Sequence, residues 1–484
     1  MGITLKRICI STITMIMLAA IVVPISSHAA QRPDVHAAAY ILIETESGRV
    51  ISEYQAHRRM FPAATTMILT AILAYEHIGM DEIIVVGNEI HALPGGSARN
   101  WHETGEAITG ANLLRGMLIG AGNDTANVVA MEVARRTTDN PNISFLNAQV
   151  VFANLMTQRA RELGALDSSF VNPHGYHHDS HFTTAYDMAQ IALHALSLPE
   201  LAEILALPSY FGPMWGDDET LVPEGATMLS RNWSSPNLLL HENSDFHYEY
   251  AIGLRTGRTN QAGDSLVSAA ARDGITLISV TFNSPEIAVE IDEDGELIYE
   301  PTRWQDNIGL FEYGFANYAH RVFLQEGAII DGLPIYDPRI DDPGYLEFFA
   351  AASGMLFLND GEIDRLERNI EFAPGVVTYT EEYGQMFVTP IYENDMLGTV
   401  SYYLDGRHVF TTDIHAVRYV PERTTASDIE VRMESIHNFF FSTENRPWWI
   451  AGGSVLVLII VAIVLVRRHI VQKRRRNYKY KWKY

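Results

Sequence analysis

The chain has 484 residues, 47% of them hydrophobic, so it is long enough for two or three domains with substantial cores. Its 35 basic residues are outnumbered by 59 acidic ones, and a chain of this charge repels nucleic acid and other polyanions. Cys9 is the one cysteine, which excludes a disulfide within the chain.

The first segment, residues 1–29, has the pattern of a secretory signal peptide. Two basic residues, Lys6 and Arg7, precede an apolar stretch at 8–23, and small residues end the segment at Ala29. A basic start, a short apolar core and small residues before the cut are typical of such peptides. We expect cleavage after Ala29. The alternative, an uncleaved anchor, leaves the bulk of the chain on the same side of the membrane.

The pattern of the next region predicts an α/β (α+β) domain. An apolar run, a turn at Gly48 and a second apolar run predict an early hairpin. The dipeptide Asp273-Gly274 predicts a tight turn between two late strands. Helices are predicted at 64–77, 110–119, 125–136, 145–163, 184–197 and 200–207, and late strands at 251–255, 265–272 and 275–282. These elements predict a central antiparallel sheet with a helical subdomain inserted between its early and late strands.

The first of these helices begins with a recognisable motif, Phe61-Pro62-Ala63-Ala64-Thr65-Thr66-Met67. It resembles the P-A-S-x-T-K nucleophile motif of the D-alanyl-D-alanine carboxypeptidases, the low-molecular-mass penicillin-binding proteins with a serine β-lactamase-like fold. Ala64 stands where that family carries its attacking serine, and Met67 stands where it carries the lysine base. A methyl group cannot attack a carbonyl and a thioether cannot accept a proton. The resemblance therefore implies a catalytically degenerate member.

Four further segments follow in the family's order and extend the resemblance from about residue 37 to about residue 418. Residues 113–124 are similar to its S-x-N motif, with Ala121 in the serine position and Asn123 retained. Residues 172–175 and 183–189 are similar to its N-P-x-G and T-A-Y-D landmarks. Five landmarks in order are far more specific than one degenerate motif. No catalytic residue is intact, since Ala64, Met67 and Ala121 all lack proton-transfer groups.

The remaining landmark, Gly253-Leu254-Arg255-Thr256-Gly257-Arg258, is similar to the K-T-G motif, with arginine in place of lysine. In the family, the cation and threonine of this motif face the terminal carboxylate of the substrate. Arginine can hold a carboxylate with two parallel hydrogen bonds. The predicted ligand-binding residues are Asn123, Arg255, Thr256, Gly257 and Arg258. Alternatively, Arg255 is a structural cation in a site that has lost its ligand.

Neighbouring hydroxyl groups offer no obvious replacement for the missing nucleophile. Thr65 and Thr66 would pair with Ile68 and Leu69 at the same helical spacing, and neither partner is a base. A rescued activity would need a base that the sequence does not reveal.

Four histidines, His174, His177, His178 and His181, form a cluster that could suggest zinc. Pro173 and the glycine at 175 forbid a regular helix there, and the first histidine lies in a family landmark that binds no metal. We therefore predict no metal site.

After the first domain, assigned to 34–321, the pattern changes to short strands and turns. Residues 322–425 are predicted to form a small β-rich domain, with a turn at Asp405-Gly406. This domain is similar to the small all-β domain that follows the catalytic domain in the family. Residues 426–447 are predicted to be an amphipathic juxtamembrane segment.

The C-terminal region carries an apolar run at 448–466, which as a helix would be about 28 Å long. Positive residues from Arg467 onward predict a cytoplasmic tail, 467–484, that could contact anionic lipid. The sequence therefore predicts a single-pass membrane protein whose bulk lies outside the cytoplasm.

Three functions are compatible with these features. The leading hypothesis is an inactive pseudoenzyme that binds peptidoglycan stem peptides or a cell-wall enzyme. The alternatives are a residual serine-type D-Ala-D-Ala carboxypeptidase and a structural scaffold without a ligand. None of the three requires a cofactor, and none involves nucleic acid.

Overall fold

The computed structural model describes residues 33–291, 296–442 and 446–479. It divides into two compact units, Met1–Ala319 and His320–Tyr484. The predicted signal peptide lies outside the described residues.

Strands of the first unit appear early and late in the chain. They are β1 (Ala39–Glu44), β2 (Val50–Tyr54), β3 (Ile83–Val85), β4 (Ala107–Thr109), β5 (Ser209–Pro213), β6 (Ser230–Ser234), β7 (Ala251–Thr259), β8 (Gly263–Arg272), β9 (Ile275–Ser284), β10 (Glu286–Ile291) and β11 (Leu297–Pro301). Five of them form one antiparallel sheet in the order β2-β1-β9-β8-β7. The other six pair as the hairpins β3–β4, β5–β6 and β10–β11.

Local sequence explains the centre of this sheet. All six residues of β1 are buried, as expected for an apolar strand that is covered on both faces. Strands β8 and β9 are joined by Asp273 and Gly274, whose φ angles of 53° and 80° are both positive. Asp-Gly suits this turn because glycine and aspartate tolerate the left-handed region. The predicted hairpin is confirmed.

Most helices of the first unit lie between β2 and β7 in the chain. They are α1 (Met67–His77), α2 (Gly110–Leu118), α3 (Asn123–Thr137), α4 (Phe145–Glu162), α5 (Ala185–Leu196), α6 (Pro199–Leu205) and α7 (Arg303–Asn317). The residues from Met67 to Ala74 in α1 are all buried, which confirms the expected buried helix. The prediction of an antiparallel sheet with an inserted helical subdomain is therefore confirmed.

The second unit is mainly β-structure. Its elements are β12 (Ala319–Leu324), β13 (Ile329–Pro334), β14 (Tyr345–Ala350), β15 (Gly354–Leu358), α8 (Asp360–Ile363), β16 (Leu366–Phe372), β17 (Val377–Thr380), β18 (Gly384–Phe387), β19 (Met396–Leu404), β20 (Arg407–Ala416), α9 (Thr425–Phe441) and α10 (Arg446–Lys479). A five-stranded sheet, β13-β14-β20-β19-β16, packs around Phe348 and Phe387. The predicted Asp405-Gly406 turn joins β19 to β20.

The C-terminal helices differ from the prediction. No helix among the described residues is both long and apolar enough to cross a membrane. The apolar run at 448–466 lies within the longer helix α10, which continues through a basic segment to Lys479. This finding contradicts the predicted membrane span and the single-pass localisation with a cytoplasmic tail. The end of that tail, 480–484, lies outside the described residues.

Candidate functional site

One cavity of about 630 Å³ in the first unit gathers most of the residues singled out from the sequence. Its walls come from the turn before α1, the loop before α3, the loop at 174–177 and strand β7. The predicted positions that line it are Ala64, Ala121, Asn123, Arg255, Thr256, Gly257 and Arg258. Met67 does not line the cavity, because it is fully buried beneath it. The structure thus brings the three degenerate motifs together.

A short 3-10 turn, Ala63–Thr66, carries Ala64 to the cavity and leads into α1. Ala63 has a φ of 50°, a conformation that L-residues rarely adopt. The turn is held by two side chains: Thr65 Oγ1 donates to Pro62 O at 2.7 Å, and Thr66 Oγ1 donates to Ala63 O at 2.8 Å. Both hydroxyl groups adjacent to Ala64 are therefore buried and committed to the backbone.

Strand β7 lies directly against this turn at Gly257. A Cβ atom at Gly257 would lie 2.5 Å from Ala64 N and 3.1 Å from Ala64 Cα. Any side chain would force the strand and the turn apart, because non-bonded carbon and nitrogen atoms do not approach so closely. Glycine at this position keeps the cavity narrow between β7 and α1.

Arg255 is the most unusual charged group of the site. It is 2% exposed, and its Nη2 lies 3.7 Å from the sulfur of Met67. Within the described residues, its Nε and Nη1 have no hydrogen-bond partner. Burial lowers the pKa of Arg255 to about 10, so the guanidinium remains charged at neutral pH. An unpaired buried cation is costly, and it creates strong affinity for an anion that can enter the cavity.

Thr256 differs from what the resemblance implied. Its hydroxyl donates to Ser265 O on the neighbouring strand at 2.8 Å. A hydroxyl has a single proton to donate. In this arrangement, Thr256 cannot also donate to a carboxylate, and Arg255 is left as the donor on this part of β7.

Two other arginines at the cavity are already paired. Arg258 lies at the rim, 59% exposed at its side chain, and contacts Glu286 Oε1 at 2.5 Å and Asp264 Oδ2 at 3.7 Å. Arg303, from the start of α7, forms an ion pair with Asp264. The two carboxylates balance these two cations, and no ion pair of Arg255 occurs among the described residues.

The loop before α3 contributes Ala121 and Asn123. Ala121 has a φ of 58°, and Asn123 N donates to Ala98 O at 3.0 Å. Asn123 is 8% exposed and lines the cavity. The methyl group of Ala121 leaves this wall without the hydroxyl that the family motif carries there.

The histidine cluster contributes to the shape of a cavity wall. His181 Nδ1 accepts a hydrogen bond from Val171 N at 3.1 Å, so the proton is on Nε2. This Nε2–H donates to Thr66 Oγ1 at 2.9 Å. Burial lowers the pKa of His181 to about 3 and that of His174 to about 4. Both imidazoles are therefore neutral. His174 and His177 line the cavity, and the Nδ1 atom of His178 accepts from Ser180 N at 3.0 Å.

Sequence reasoning missed two parts of the cavity. The loop Gly95-Gly96-Ser97-Ala98 forms one wall, and the Oγ atom of Ser97 is buried without a partner in the described residues. The Gly-Gly pair signals a loop but not where that loop lies. Arg303 comes from a helix about 40 residues beyond β7 and carried no local signal at all.

Comparisons with known proteins agree with these features. Residues 26–286 match the D-alanyl-D-alanine carboxypeptidase family. The chain is 26% identical to D-alanyl-D-alanine carboxypeptidase DacF of Bacillus subtilis over half of its own length, and it spans 56% of that relative. It is 24% identical to DacC of Escherichia coli, also called a D-alanyl-D-alanine carboxypeptidase, over 78% of this chain and 83% of that protein.

Two solved structures resemble the chain at the level of the fold. Penicillin-binding protein 5 from Haemophilus influenzae matches with a TM-score of 0.51 and 22% identity, over 81% of this chain and 99% of that one. The D-alanyl-D-alanine carboxypeptidase DacD from Francisella tularensis matches with a TM-score of 0.55 and 20% identity, over 82% and 95% of the two chains. These likenesses show a penicillin-binding-protein fold.

Proposed function

This chain belongs to the D-alanyl-D-alanine carboxypeptidase family, and we propose that it binds the D-Ala-D-Ala end of peptidoglycan stem peptides without hydrolysing it. The observation that carries the proposal is the composition of the cavity floor. Among the described residues, Nε and Nη1 of the Arg255 guanidinium have no partner, and its Nη2 lies 3.7 Å from the sulfur of Met67 beneath the cavity. Ala64 lines the same cavity with a methyl group, so neither a hydroxyl nor an amine stands where acyl transfer would require them.

The absence of hydrolysis is argued from Ala64 and Met67. Neither side chain can form a covalent acyl intermediate or accept a proton. Thr65 and Thr66 donate their hydroxyl protons to backbone carbonyls and are buried. Removing the nucleophile or its base in a comparable serine hydrolase costs roughly six orders of magnitude in turnover.

Binding is argued from Arg255. Arg255 lines the cavity, and its Nε and Nη1 are buried without a partner among the described residues, so its positive charge would pair with a peptide carboxylate that enters the cavity. Such charge-assisted pairs are short and roughly twice as strong as neutral hydrogen bonds. The ligand thus supplies the anion that the protein does not, which favours a peptide with a free C-terminus.

A carboxypeptidase is the second candidate, because the relatives described above carry that name. On likeness alone, that activity is favoured over an inactive protein. It would require a nucleophile other than residue 64. Fluorescent penicillin labels serine-type members covalently, so a labelled band from the purified protein would establish this alternative.

The binding proposal is tested by calorimetry on the full chain with the tripeptide L-Lys-D-Ala-D-Ala. The same tripeptide with an amidated C-terminus is the ligand control. We expect Arg255→Ala to weaken binding about 10- to 100-fold, the range of a hydrogen bond to a charged group. Arg272→Ala is the matched control, because Arg272 lies on the adjacent strand β8 and pairs with Glu312 away from the cavity.

Two results would count against the proposal. Equal affinity for the free and amidated peptides would show that no carboxylate is recognised. Absence of binding at millimolar peptide would favour a ligand-free scaffold that assembles cell-wall partners.

A further inference from the structure

An exposed indole on a constrained backbone lies three residues beyond Ala98, which lines the cavity. Trp101 is 74% exposed, and its φ is 60°, a left-handed conformation that is unfavourable for a bulky residue. Such conformations persist only where the surroundings enforce them, and they cluster at ligand sites. Phe211 is as exposed, at 78%, but lies in the regular strand β5 without positive φ.

Asp124 enforces the conformation of Trp101. Its buried carboxylate accepts from the backbone N–H groups of Asn100 and Trp101, both at 2.9 Å, and of His102 at 3.4 Å. Three consecutive N–H groups are thus held by one side chain. The carboxylate is 1% exposed, so these hydrogen bonds are shielded from water.

Both neighbours of Trp101 are buried, and their side chains form hydrogen bonds. The Nδ2 group of Asn100 donates to Gly116 O and to Thr125 Oγ1, at 2.6 and 2.8 Å. His102 bonds Glu106 through Nδ1 and Thr125 through Nε2, at 3.0 and 2.8 Å. The order buried–exposed–buried means that the fold directs the indole outward, rather than leaving it on a mobile loop.

The indole also lies close to the cavity. Ala98 lines the cavity and is bonded to Asn123, and Trp101 follows three residues later, at most about 11 Å along the chain. A stem peptide of five residues spans at most about 17 Å, and its first residue is attached to a muramic acid ring. These two lengths allow a saccharide on a peptide anchored at Arg255 to reach Trp101.

We infer that Trp101 is the platform of a saccharide subsite, where the indole stacks on a pyranose ring of the peptidoglycan glycan. The C–H groups on one face of a pyranose carry partial positive charge, which complements the negative face of an aromatic ring. Arg99 lies 6.0 Å from the ring centroid on one side of the indole, so the sugar stacks on the opposite side. This subsite rests on the proposed function, because it extends the peptide site to the glycan.

The test compares three ligands on the full chain: the stem pentapeptide, the same pentapeptide attached to N-acetylmuramic acid, and N,N′-diacetylchitobiose, which has no peptide. We expect the muramyl form to bind about two- to tenfold more tightly than the bare peptide, the gain of one aromatic contact. Trp101→Ala should remove this gain and leave the bare peptide unaffected. Phe211→Ala, which alters an equally exposed ring, should change neither affinity.

A second readout follows the indole itself. In protein labelled with ¹⁵N-tryptophan, one of the seven indole signals should shift with the chitobiose, and Trp101→Ala should identify that signal. A shift without peptide binding would overturn the proposed function and support the subsite. Equal affinities for bare and muramyl peptides, with no indole shift, would overturn the subsite and leave the peptide site standing.

Discussion

Two regions around the cavity differ in whether their buried polar groups have hydrogen-bond partners. Behind the wall, the Asp124 carboxylate accepts hydrogen bonds from several backbone N–H groups, and the Glu106 carboxylate accepts hydrogen bonds from His102 and Arg231. On the floor, within the part of the chain that the structure describes, Nε and Nη1 of Arg255 have no partner, and Nη2 contacts the sulfur of Met67. Buried polar groups are normally paired, so the two buried nitrogens of Arg255 require an explanation.

This difference indicates that the hydrogen bonds that hold the cavity loops (the frame of the site) are independent of the side chains at the family's catalytic positions. The wall network holds the loops in place by itself, with hydrogen bonds that do not involve Ala64, Met67 or Ala121. Catalytic groups can therefore be replaced without loss of the surrounding geometry. The proposed peptide carboxylate would pair with Arg255 on the floor, whereas the hydrogen bonds of Asp124 and Glu106 need no ligand.

The largest expected effect is the restoration of acylation by two substitutions at the cavity. We expect Ala64→Ser combined with Met67→Lys to be acylated by fluorescent penicillin, because the frame keeps both positions on one helix face. The new lysine would lie beside Arg255, and a neighbouring cation lowers the pKa of an amine toward that of a base. Ala64→Ser alone is the control, and a base typically contributes about 10²- to 10⁴-fold. Both variants are compared by labelling rates on gels.

No labelling of a folded double variant would mean that the frame has moved away from the family's geometry. Circular dichroism and thermal melting would establish that the variant is folded. Labelling of the wild-type chain would instead contradict the proposed loss of activity.

Acid is expected to weaken the wall at the histidine cluster. Because burial lowers the pKa of His174 to about 4 and of His181 to about 3, the unfolded chain binds more protons below pH 6.5. The stability is complete above pH 6.5 and falls as the pH drops toward 4, by roughly 1.4 kcal/mol per pH unit for each histidine. Denaturant unfolding between pH 7.5 and 4.5 measures this slope.

The matched variant for this experiment is His181→Gln, which keeps a donor for Thr66 but does not titrate. Its slope should be about half that of the wild type, since one of two titrating groups is gone. An unchanged slope would exclude His181 as a source of the acid sensitivity.

The smallest expected effect is a change in the free energy of unfolding when Arg255 is replaced by an apolar residue. Arg255→Met should raise the free energy of unfolding of the ligand-free protein by about 1–3 kcal/mol, because an unpaired buried charge is replaced by an apolar side chain. The same change should weaken peptide binding about 10- to 100-fold, as Arg255→Ala does. Urea unfolding of both proteins checks the first effect, and calorimetry checks the second. A loss of stability would mean that Arg255 is a structural cation.

Several features could be predicted from local sequence because they depend on neighbouring residues. The Asp273-Gly274 turn and the buried helix α1 follow from backbone preferences and hydrophobic pattern. The membrane span was predicted by the same kind of reasoning and is contradicted, since the apolar run lies within the longer helix α10.

By itself, the sequence determined the family and the order of the motifs, and it predicted that Ala64 and Met67 stand at the family's nucleophile and base positions, because these depend on residue identity and spacing. Only the tertiary structure decided that Arg255 has no carboxylate partner among the described residues, that Thr256 donates to Ser265, and that Trp101 faces solvent. The physical reason is that a hydrogen bond or an ion pair depends on which distant segments meet. No local sequence pattern predicts which distant segments come into contact.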